Sequence, residues 1–531
     1  MLYTYIMRIT RPKPALLYPL LFGFLLIFYL AWVWSPALGG FGGDNAIYLL
    51  TAQWIRSGGA NLIAGHYVAG SPYPPLYPLL LAIAGGGHSI LAAHLVTGAA
   101  LVAACAMFLL WLRAGGIAPG QASVFTLAFA LAPGIERQAL QILSEPLYLL
   151  LSLTALWAAT HAERDQGMRW SAASAAAVAA ALMTRSAGLA LWIAFAGWIL
   201  IRRPRKELLL AVAALLPFAL WSLARVHHTG YLHDFFAVYR AHPLATLRHR
   251  VILESEALRQ GWYQDISGWL LRAPFRAVAI ALAVLGTIGL AYRPFAFESL
   301  YLVTYLAMIL IWPYPSEAAR FLVVVIPVAM ALAARAFDRS GTPARFAGIT
   351  LACAMLAMTI PQWVFNVRRL AAPVSPGLAS FKHESGWYQP DFHNADVSLH
   401  ATATLTNMLR SLPRLVPRGQ CILNIKPSVT ALYAHRLSYA PPPASAGPGA
   451  FRRDLMQEHC RYALLVAFGS PSFPGPLYPL ARLHDEFQTR IPLLQAGMLY
   501  TGAHAPIVSL LVKLPRLPRR PSVGSSSPSH S

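Results

Sequence analysis

Long apolar stretches recur along this chain, and they constrain its fold more than any other feature. A helix of about 20 residues crosses the hydrocarbon core of a bilayer, so repeated stretches of this length are typical of membrane-spanning helices. Charged residues make up 12% of the chain and hydrophobic residues 57%, whereas soluble domains carry about 25% charged residues. The chain is therefore predicted to be a polytopic α-helical membrane protein.

Eleven apolar segments are predicted to span the membrane, within a transmembrane domain that occupies residues 1–363. The segments lie near 15–35, 88–111, 120–134, 144–161, 170–184, 187–201, 207–225, 273–292, 295–312, 320–337 and 345–363. The short segments 120–134 and 170–184 are equally consistent with tilted, merged or re-entrant helices. The first segment is too long for the apolar part of a cleavable signal peptide and lacks a clear cleavage site, so we expect it to remain as a span.

The basic residues are distributed unequally between the two ends of these spans. One set of short loops contains clusters of Lys and Arg, as at 202–206, whereas the opposite set contains single arginines. Lys and Arg are enriched in cytoplasmic loops, so we expect the first set, and the N-terminus, to be cytoplasmic. An odd number of spans then places the C-terminal region outside, together with the long loops 36–87 and 226–272.

The formal net charge is +22, from 42 Lys and Arg against 20 Asp and Glu. Basic residues at a membrane surface fix orientation and attract anionic headgroups, which explains the charge without nucleic acid. We therefore predict membrane lipids as partners and no nucleic-acid partner. The same positive field would favour a substrate that carries a lipid-linked phosphate.

Polar and charged residues return after the last predicted span. Short apolar runs at 421–425 and 462–468, bounded by polar segments, are typical of buried strands, and residues 401–411 are predicted to form a helix. These elements predict a small α/β domain at 364–514 on the outer face. The tail 515–531 is rich in Pro and Ser and is predicted to be disordered.

Cysteine and histidine are not spaced as metal ligands in this chain. No CxxC or clustered Cys/His pattern is present among the four cysteines, which argues against a structural zinc site. The histidine-containing loop 226–272 lacks a compact pattern such as HExxH, so no metal ligand is assigned and a divalent ion is left open. Whether Cys421 and Cys460 form a disulfide is also left open.

Asp44 is the first candidate for chemistry, because it lies directly outside the first span in the glycine-rich segment 39–45. A carboxylate at the edge of the membrane can act as a general base towards an acceptor hydroxyl or amine. An Asp before the amphipathic segment 45–56 is also an ordinary helix N-cap. The sequence alone leaves both roles open.

Three tyrosines in the same outer loop are candidate substrate-binding residues. Tyr48 begins the series, and Tyr73 and Tyr77 flank the stiff Pro-Pro pair at 74–75. Tyrosine is also a common anchor in the headgroup layer. A rigid loop that leads into the next segment is therefore the alternative to substrate binding.

Three charged residues at the outer ends of later spans complete the candidate substrate-binding set: Glu145, Arg185 and Arg320. The planar guanidinium of arginine matches phosphate oxygens and does not lose its charge, so these arginines suit a phosphate or pyrophosphate leaving group. The alternatives are structural ion pairs, of Glu145 with Arg137 and of Arg320 with Glu317, or arginine side chains that snorkel to the membrane surface.

These motifs, in this order and on one predicted face, resemble those of the integral-membrane glycosyltransferases of the GT-C fold. The similarity is to the Rgt-type group, which includes protein mannosyltransferases and aminoarabinose transferases. The matching residues are Asp44 with Tyr48, Pro74–Leu80, Ser144–Pro146, Thr184–Gly188, and Arg320-Phe321 before a span that contains Pro327. The resemblance covers about residues 15–340.

The resemblance implies that Asp44 is the catalytic base and that outer-loop basic residues hold the donor phosphate, which makes Arg185 and Arg320 candidates. Two departures concern the substrate. Aminoarabinose transferases have a Glu-Lys pair before the Pro-Pro pair, where this chain has Pro72-Tyr73. Protein mannosyltransferases usually have Asp-Glu in the first loop, where this chain has Asp44-Asn45.

The leading hypothesis is a glycosyltransferase of the bacterial inner (plasma) membrane that transfers a sugar from a polyprenyl-phosphate donor with inversion. The acceptor would be an envelope glycan, lipid or protein on the outer face. The alternatives are a transporter or flippase for lipid-linked glycan intermediates, and a non-catalytic assembly protein. No cofactor is assigned.

Overall fold

The computed structural model describes residues 14–35, 38, 43–225, 238–240, 243–268, 273–312, 317–339, 342–375, 377–382, 392–441, 460–466, 491–498 and 507–515. The chain divides into two compact units. The first unit contains residues 1–40 and 44–399, and the second contains residues 41–43 and 400–531. The predicted disordered tail lies outside the described residues from 516 onward, as does the part 226–237 of the predicted loop 226–272.

The described part of the first unit is built from α-helices. In chain order they are α1 (Pro14–Trp32), α2 (Asp44–Arg56), α3 (Leu62–Ala69), α4 (Leu76–Ile83), α5 (Ile90–Ala114), α6 (Pro119–Ala130), α7 (Pro133–Ala139), α8 (Glu145–Asp165), α9 (Met168–Leu182), α10 (Gly188–Arg202), α11 (Leu208–Leu223), α12 (Pro243–Ser267), α13 (Ala273–Tyr292), α14 (Phe297–Leu310), α15 (Ala318–Leu322), α16 (Ile326–Arg339), α17 (Thr342–Ala371) and the start of α18 (Phe392–Leu415).

The apolar segments of the sequence coincide with helices. Four helical segments in the described ranges are long and apolar enough to cross a membrane: Ile90–Ala114, Arg205–Leu223, Pro274–Tyr292 and Phe346–Ala371. Shorter apolar helices occupy Tyr18–Trp32, Gly188–Arg202, Phe297–Leu310 and Ile326–Ala336. The predicted helical architecture is therefore confirmed, with helices of the length and composition that membrane spans require, while the number of spans stays a prediction.

Proline divides two segments that the hydropathy pattern joins. The segment 320–337 is split, because α15 ends at Leu322 and α16 begins at Ile326, with Pro327 in its first turn. The segment 120–134 ends earlier than expected, since α6 stops at Ala130 and α7 starts at Pro133. Proline lacks a backbone N–H and is well suited to the first turn of a helix, where that group has no intrahelical acceptor.

Close helix packing in the first unit depends on small residues. Helix α13 packs against α16, and a Cβ at Gly289 would lie 2.3 Å from the carbonyl oxygen of Leu332. A larger residue would therefore push the two helices apart. Apolar side chains on the other faces of α11 and α13, such as Leu209 and Val284, are exposed as expected of surfaces that face lipid.

The second unit contains a five-stranded sheet. Its strands are β1 (Ile422–Leu423), β2 (Ser438–Tyr439), β3 (Tyr462–Val466), β4 (Leu493–Met498) and β5 (Ile507–Lys513), in the spatial order β2-β1-β3-β5-β4. Helix α19 (Pro427–Ala434) connects β1 to its parallel neighbour β2. The predicted C-terminal strands and the helix at 401–411 are therefore confirmed.

A disulfide joins the two polar-region cysteines that the sequence left open. Cys421 and Cys460 are bonded across a separation of 39 residues, next to the buried residues Leu423, Ala463 and Val512 of the sheet. A cross-link that closes a loop of this length stabilises the fold, largely by restricting the unfolded chain.

Candidate functional site

An open cavity lies in the first unit, where α2, α14, α15 and the turn between α9 and α10 converge with the segment before α4. Its lining residues are Asp44, Tyr48, Tyr73, Pro74, Thr184, Arg185, Ser186, Ala187, Met308, Trp312, Glu317, Arg320 and Phe321. Most of the predicted site residues are thus brought together although they are far apart in the sequence.

Asp44 is the first residue of α2, and both oxygens of its carboxylate bind side chains from other parts of the unit. The Tyr73 hydroxyl donates to Oδ1 at 2.6 Å, and Nη1 of Arg320 donates to Oδ2 at 2.6 Å. The Asp44 side chain is 19% exposed, so it is accessible from the cavity. Its position at the start of a helix agrees with the capping alternative, but its carboxylate is also tied to tertiary partners.

Glu145 binds two guanidinium groups through one carboxylate oxygen. Nη1 of Arg185 lies 2.5 Å from Oε1, and Nε of Arg320 donates to the same atom. The Glu145 side chain is 1% exposed. Asp44, Arg320, Glu145 and Arg185 therefore form a continuous ion chain whose formal charges cancel.

Two alternative ion pairs expected from the sequence do not form. Glu145 does not pair with Arg137, because Arg137 binds Asp265 of α12 instead. Arg320 does not pair with Glu317, because its guanidinium binds the carboxylates of Glu145 and Asp44. Packing between helices that are distant in sequence decides these partners, which sequence proximity does not reveal.

The surroundings of Asp44 keep it ionised. Burial raises the pKa of Asp44, but the charge of Arg320, hydrogen bonds from Tyr73 and Arg320, and the charge of Arg185 outweigh burial and hold the pKa below the ordinary value of Asp. Burial likewise opposes the charge of Arg185, but the Glu145 carboxylate raises its pKa above the ordinary value of Arg. The site therefore presents a carboxylate and permanent cations at neutral pH.

The three candidate tyrosines occupy different depths. The Tyr48 hydroxyl lies 2.9 Å from Oγ of Ser144, and the Tyr48 ring contacts the rings of Tyr73 and Tyr77, each with a centroid distance of 5.0 Å. Tyr77 is fully buried behind Tyr48, and its hydroxyl lies 3.1 Å from Oγ1 of Thr97. Tyr48 and Tyr73 line the cavity, whereas Tyr77 supports them.

One wall of the cavity is apolar. The rings of Trp312 and Phe321 meet edge to face with centroids 5.6 Å apart, and Met308 lies on the same lining. The guanidinium carbon of Arg185 lies 5.0 Å from the centroid of the Phe321 ring, close enough for a cation–π contact. A wall of this kind beside an ion chain suits a ligand with both a charged and an apolar part.

The short turn between α9 and α10 positions Arg185. The backbone N–H of Leu76 donates to the carbonyl of Met183 at 2.9 Å, which ties this turn to the start of α4. A Cβ at Gly188 would lie 2.8 Å from Cα of Leu182. Only glycine allows the two helix ends to approach this closely.

The sequence does not single out every residue of this site. It indicates Glu317 only as a partner of Arg320, and it indicates no role for Trp312, which lines the cavity, or for Ser144, whose Oγ lies 2.9 Å from the Tyr48 hydroxyl. The available signal was the segment that starts at Trp312, in which two prolines and a carboxylate precede an apolar stretch. A carboxylate at the end of a predicted span is costly unless it is paired or hydrated, so this rule indicates a functional role for Glu317 as it does for Glu145.

The described carboxylates are not arranged as metal ligands. Within the described ranges, no group of three or more His, Cys, Asp or Glu side chains is placed to hold a metal ion. The carboxylates of Asp44 and Glu145 are bound by Arg320, which supplies the positive charge that a cation would bring. The described residues of this site therefore do not fit a metal centre.

Comparisons with known proteins give structural matches. No family model matches the chain, and no curated protein matches it by sequence. The crystal structure of ArnT from Cupriavidus metallidurans bound to undecaprenyl phosphate matches with a TM-score of 0.55 at 12% identity, over 93% of this chain and 97% of that chain. The apo structure of the same ArnT matches with a TM-score of 0.56 at 13% identity, over 94% of this chain and 98% of that chain.

A third match is the oligosaccharyltransferase of Archaeoglobus fulgidus in complex with Zn and sulfate. Its TM-score is 0.49 at 14% identity, over 83% of this chain and 67% of that chain. The fold assignment rests on ArnT, which is covered almost completely. The chain therefore has the GT-C-type fold of membrane glycosyltransferases, as the motifs around Asp44 predict.

Proposed function

We propose that this protein is a membrane glycosyltransferase that transfers a sugar from a polyprenyl-phosphate donor to an acceptor in the cell envelope. The observation that carries the proposal is the cavity lined by the ionised Asp44, by Arg320, which binds its carboxylate, and by Arg185. The fold supports it, because ArnT, which shares the fold, has been solved with undecaprenyl phosphate bound.

In the proposed reaction Asp44 is the catalytic base. It accepts the proton of an acceptor hydroxyl or amine as the acceptor atom bonds to the anomeric carbon. The bond from that carbon to the phosphate oxygen breaks on the opposite face, and the configuration inverts. A positioned base of this kind contributes about 10²–10⁴-fold to the rate.

The arginines are proposed to bind the leaving phosphate. Arg320 bridges Asp44 and Glu145, and Arg185 binds Glu145. A phosphate oxygen that binds Arg320 competes with Asp44 for its Nη1, so donor binding leaves Asp44 freer to accept a proton. Fixed cations at the place where negative charge develops stabilise the transition state most in a site shielded from water.

The remaining lining residues are proposed to orient the substrates. The Tyr73 hydroxyl lies on the Asp44 carboxylate, and Tyr48 lines the same cavity; these side chains suit hydrogen bonding to sugar hydroxyls. Met308, Trp312 and Phe321 offer an apolar surface, which suits the first isoprene units of the donor. The polar and apolar halves of the cavity thus match the two halves of a lipid-linked sugar.

We propose that the second unit lies on the outer face of the plasma membrane, with the N-terminus in the cytoplasm. The unequal distribution of basic residues supports this orientation. The Cys421–Cys460 disulfide supports it independently, because disulfides persist in oxidising compartments and are rare in the cytosol. A polyprenyl-linked donor would then be used in the outer leaflet.

Replacement of the proposed base tests the function. A deletion strain is complemented with the wild type, with Asp44→Asn, and with the matched control Asp165→Asn, whose residue lies at the exposed end of α8. We expect mass spectrometry of envelope lipids and glycans to show one glycoform lost on deletion, restored by the wild type and by the control, and reduced at least about 100-fold with Asp44→Asn.

The same experiment separates the competing classes. A transporter, flippase or assembly protein does not need a proton acceptor in the cavity. Full restoration of the glycoform by Asp44→Asn, at normal protein abundance, would remove the catalytic role and favour one of those classes. Undecaprenyl phosphate binding by the purified variant, expected to persist, shows whether the cavity is intact.

A further inference from the structure

We infer that Glu317 is a second catalytic carboxyl group of this site, which receives from Asp44 the proton that the acceptor loses. The inference rests on the proposed sugar transfer and specifies where the proton goes. Asp44 and Glu317 both line the cavity.

The two carboxylates differ in their partners. Both oxygens of Asp44 accept hydrogen bonds, from Tyr73 and Arg320. Glu317, directly before α15, forms no hydrogen bond or ion pair with any residue that the structure describes. A partly buried carboxylate without a partner costs free energy, and such a group in a cleft is typical of a functional site.

A second carboxyl group without a hydrogen-bond partner among the described residues lies on the neighbouring helix α12. Helix α12 packs against α15, and its Glu254 is 0% exposed, with neither oxygen hydrogen-bonded to the described residues. The charge of Glu317 acts on Glu254, which also faces Arg250 of its own helix. Two carboxyl groups whose charges repel are harder to ionise together than singly, so the charge of Glu317 opposes ionisation of Glu254.

The acidities of the two lining carboxyl groups set the direction of transfer. Burial raises the pKa of Glu317; the charge of Arg320 opposes this effect, and the Asp44 carboxylate adds to it, so the pKa lies above the ordinary value of Glu. The pKa of Asp44 lies below its ordinary value. The charged groups that act on Glu317 are Arg320, Asp44, Arg185, Glu145 and, from α12, Glu254.

Transfer of a proton from Asp44 to Glu317 therefore lowers the free energy. In the whole step the acceptor O–H bond breaks, the bond from acceptor oxygen to the anomeric carbon forms, and the electron pair of the carbon–phosphate oxygen bond leaves on the phosphate. The proton passes to Asp44 and then to Glu317, which releases it to water through the open side of the cavity. Asp44 returns to its carboxylate form for the next turnover.

The test uses the full-length protein purified in detergent. The probes are undecaprenyl-phosphate-linked glucose, galactose and mannose, each supplied with envelope acceptors, and the released undecaprenyl phosphate is measured as a function of pH. The variants are Glu317→Gln, Glu317→Asp and the matched control Glu256→Gln, whose residue is exposed on α12 and pairs with Arg259.

We expect Glu317→Gln to lower kcat at pH 7 by roughly 10- to 100-fold, while the Kd for undecaprenyl phosphate changes less than about twofold. The fall of kcat towards acid pH, which reports protonation of Glu317, should move to lower pH, where Asp44 alone limits the rate. Glu317→Asp should recover part of the loss, and Glu256→Gln should match the wild type. Wild-type kcat and pH profile in Glu317→Gln would overturn the inference and leave the proposed function standing.

A second measurement does not depend on turnover. Infrared difference spectra of the same proteins, titrated from pH 5 to 9, report protonated carboxyl groups through their C=O stretching band. We expect Glu317→Gln, but not Glu256→Gln, to lose part of the band that titrates above the ordinary range of Glu. Identical spectra for the wild type and Glu317→Gln would overturn the inference whether or not any of the three sugars is a substrate.

Discussion

At the scale of single residues, the site is a chain of alternating charges that depends on the shape of arginine. Arg320 uses Nη1 for Asp44 and Nε for Glu145, so one side chain holds two carboxylates in fixed positions. A lysine ammonium carries the same charge but cannot bind two groups from two separate nitrogen atoms. The geometry of the guanidinium, as well as its charge, therefore positions the proposed base.

Replacement of Arg320 by Lys should separate geometry from charge. One of its two charge-assisted contacts is lost, and a hydrogen bond to a charged group contributes about 1.5–3 kcal/mol. We expect sugar transfer to fall by roughly 10- to 100-fold, measured as release of undecaprenyl phosphate. Arg169→Lys, at an exposed pair with Asp165, is the matched control, and equal activities of the two variants would contradict the role given to Arg320.

The sequence predicted the members of this site better than their pairing. Carboxylates and arginines at the ends of apolar segments are rare because they are costly there, and this rule selects Asp44, Glu145, Arg185 and Arg320. It does not reveal that Arg320 contacts a residue 276 positions away. That pairing follows from the packing of the helices, and the same packing brings Glu317 into the cavity.

At the scale of elements, the helices were predictable because a bilayer requires about 20 apolar residues in a helix. The break between α15 and α16 was less visible, because hydropathy continues through Val323–Val325 although the helix does not. Helix α12 was also missed as a packed element, since its polar sequence lay in a predicted loop. Its attachment depends on a buried carboxylate, Asp265, which binds Arg137.

Asp265 should make stability depend on pH. Burial raises its pKa to about 7, against the opposing charge of Arg137, whereas an unfolded Asp titrates near 3.9. Its contribution is fully present below about pH 4 and is lost as the pH rises to about 7, at roughly 1.4 kcal/mol per pH unit. Glu136, whose pKa burial also raises to about 7, acts in the same direction.

Asp265→Asn should therefore weaken this dependence. We expect the fall in Tm of the detergent-solubilised protein between pH 5 and pH 8 to be smaller by several degrees than in the wild type. Asp165→Asn, at an exposed site, should leave the fall unchanged. A variant whose Tm falls as steeply as that of the wild type would show that Asp265 is not held protonated in the folded state.

At the scale of the whole molecule, the chain combines an apolar helical unit with a second unit that has its own sheet and disulfide. The sheet was predictable from short apolar runs between polar segments. The pairing of Cys421 with Cys460 was not, because it depends on which strands become neighbours. Because the disulfide can be reduced and its thiols labelled, it allows a chemical test of the orientation, which the distribution of basic residues does not.

Thiol labelling should report the side of the membrane on which the second unit lies. In intact cells, a membrane-impermeant maleimide should label Cys421 and Cys460 only after mild reduction. A Cys421→Ser/Cys460→Ser variant keeps the free cysteines Cys105 and Cys353 and gives the background. Labelling that requires cell lysis, or that occurs without reduction, would contradict the proposed outer location or the disulfide.

Release of undecaprenyl phosphate from undecaprenyl-phosphate-linked sugars by the purified protein tests directly whether Asp44 is the base of a sugar transfer. We expect release by the wild type with at least one sugar of a broad panel of hexoses, pentoses and amino sugars, and a loss of about 100-fold or more in Asp44→Asn with undecaprenyl phosphate binding retained. Equal release by the wild type and Asp44→Asn, or no release by the wild type with any sugar in the presence of envelope acceptors, would contradict this role of Asp44.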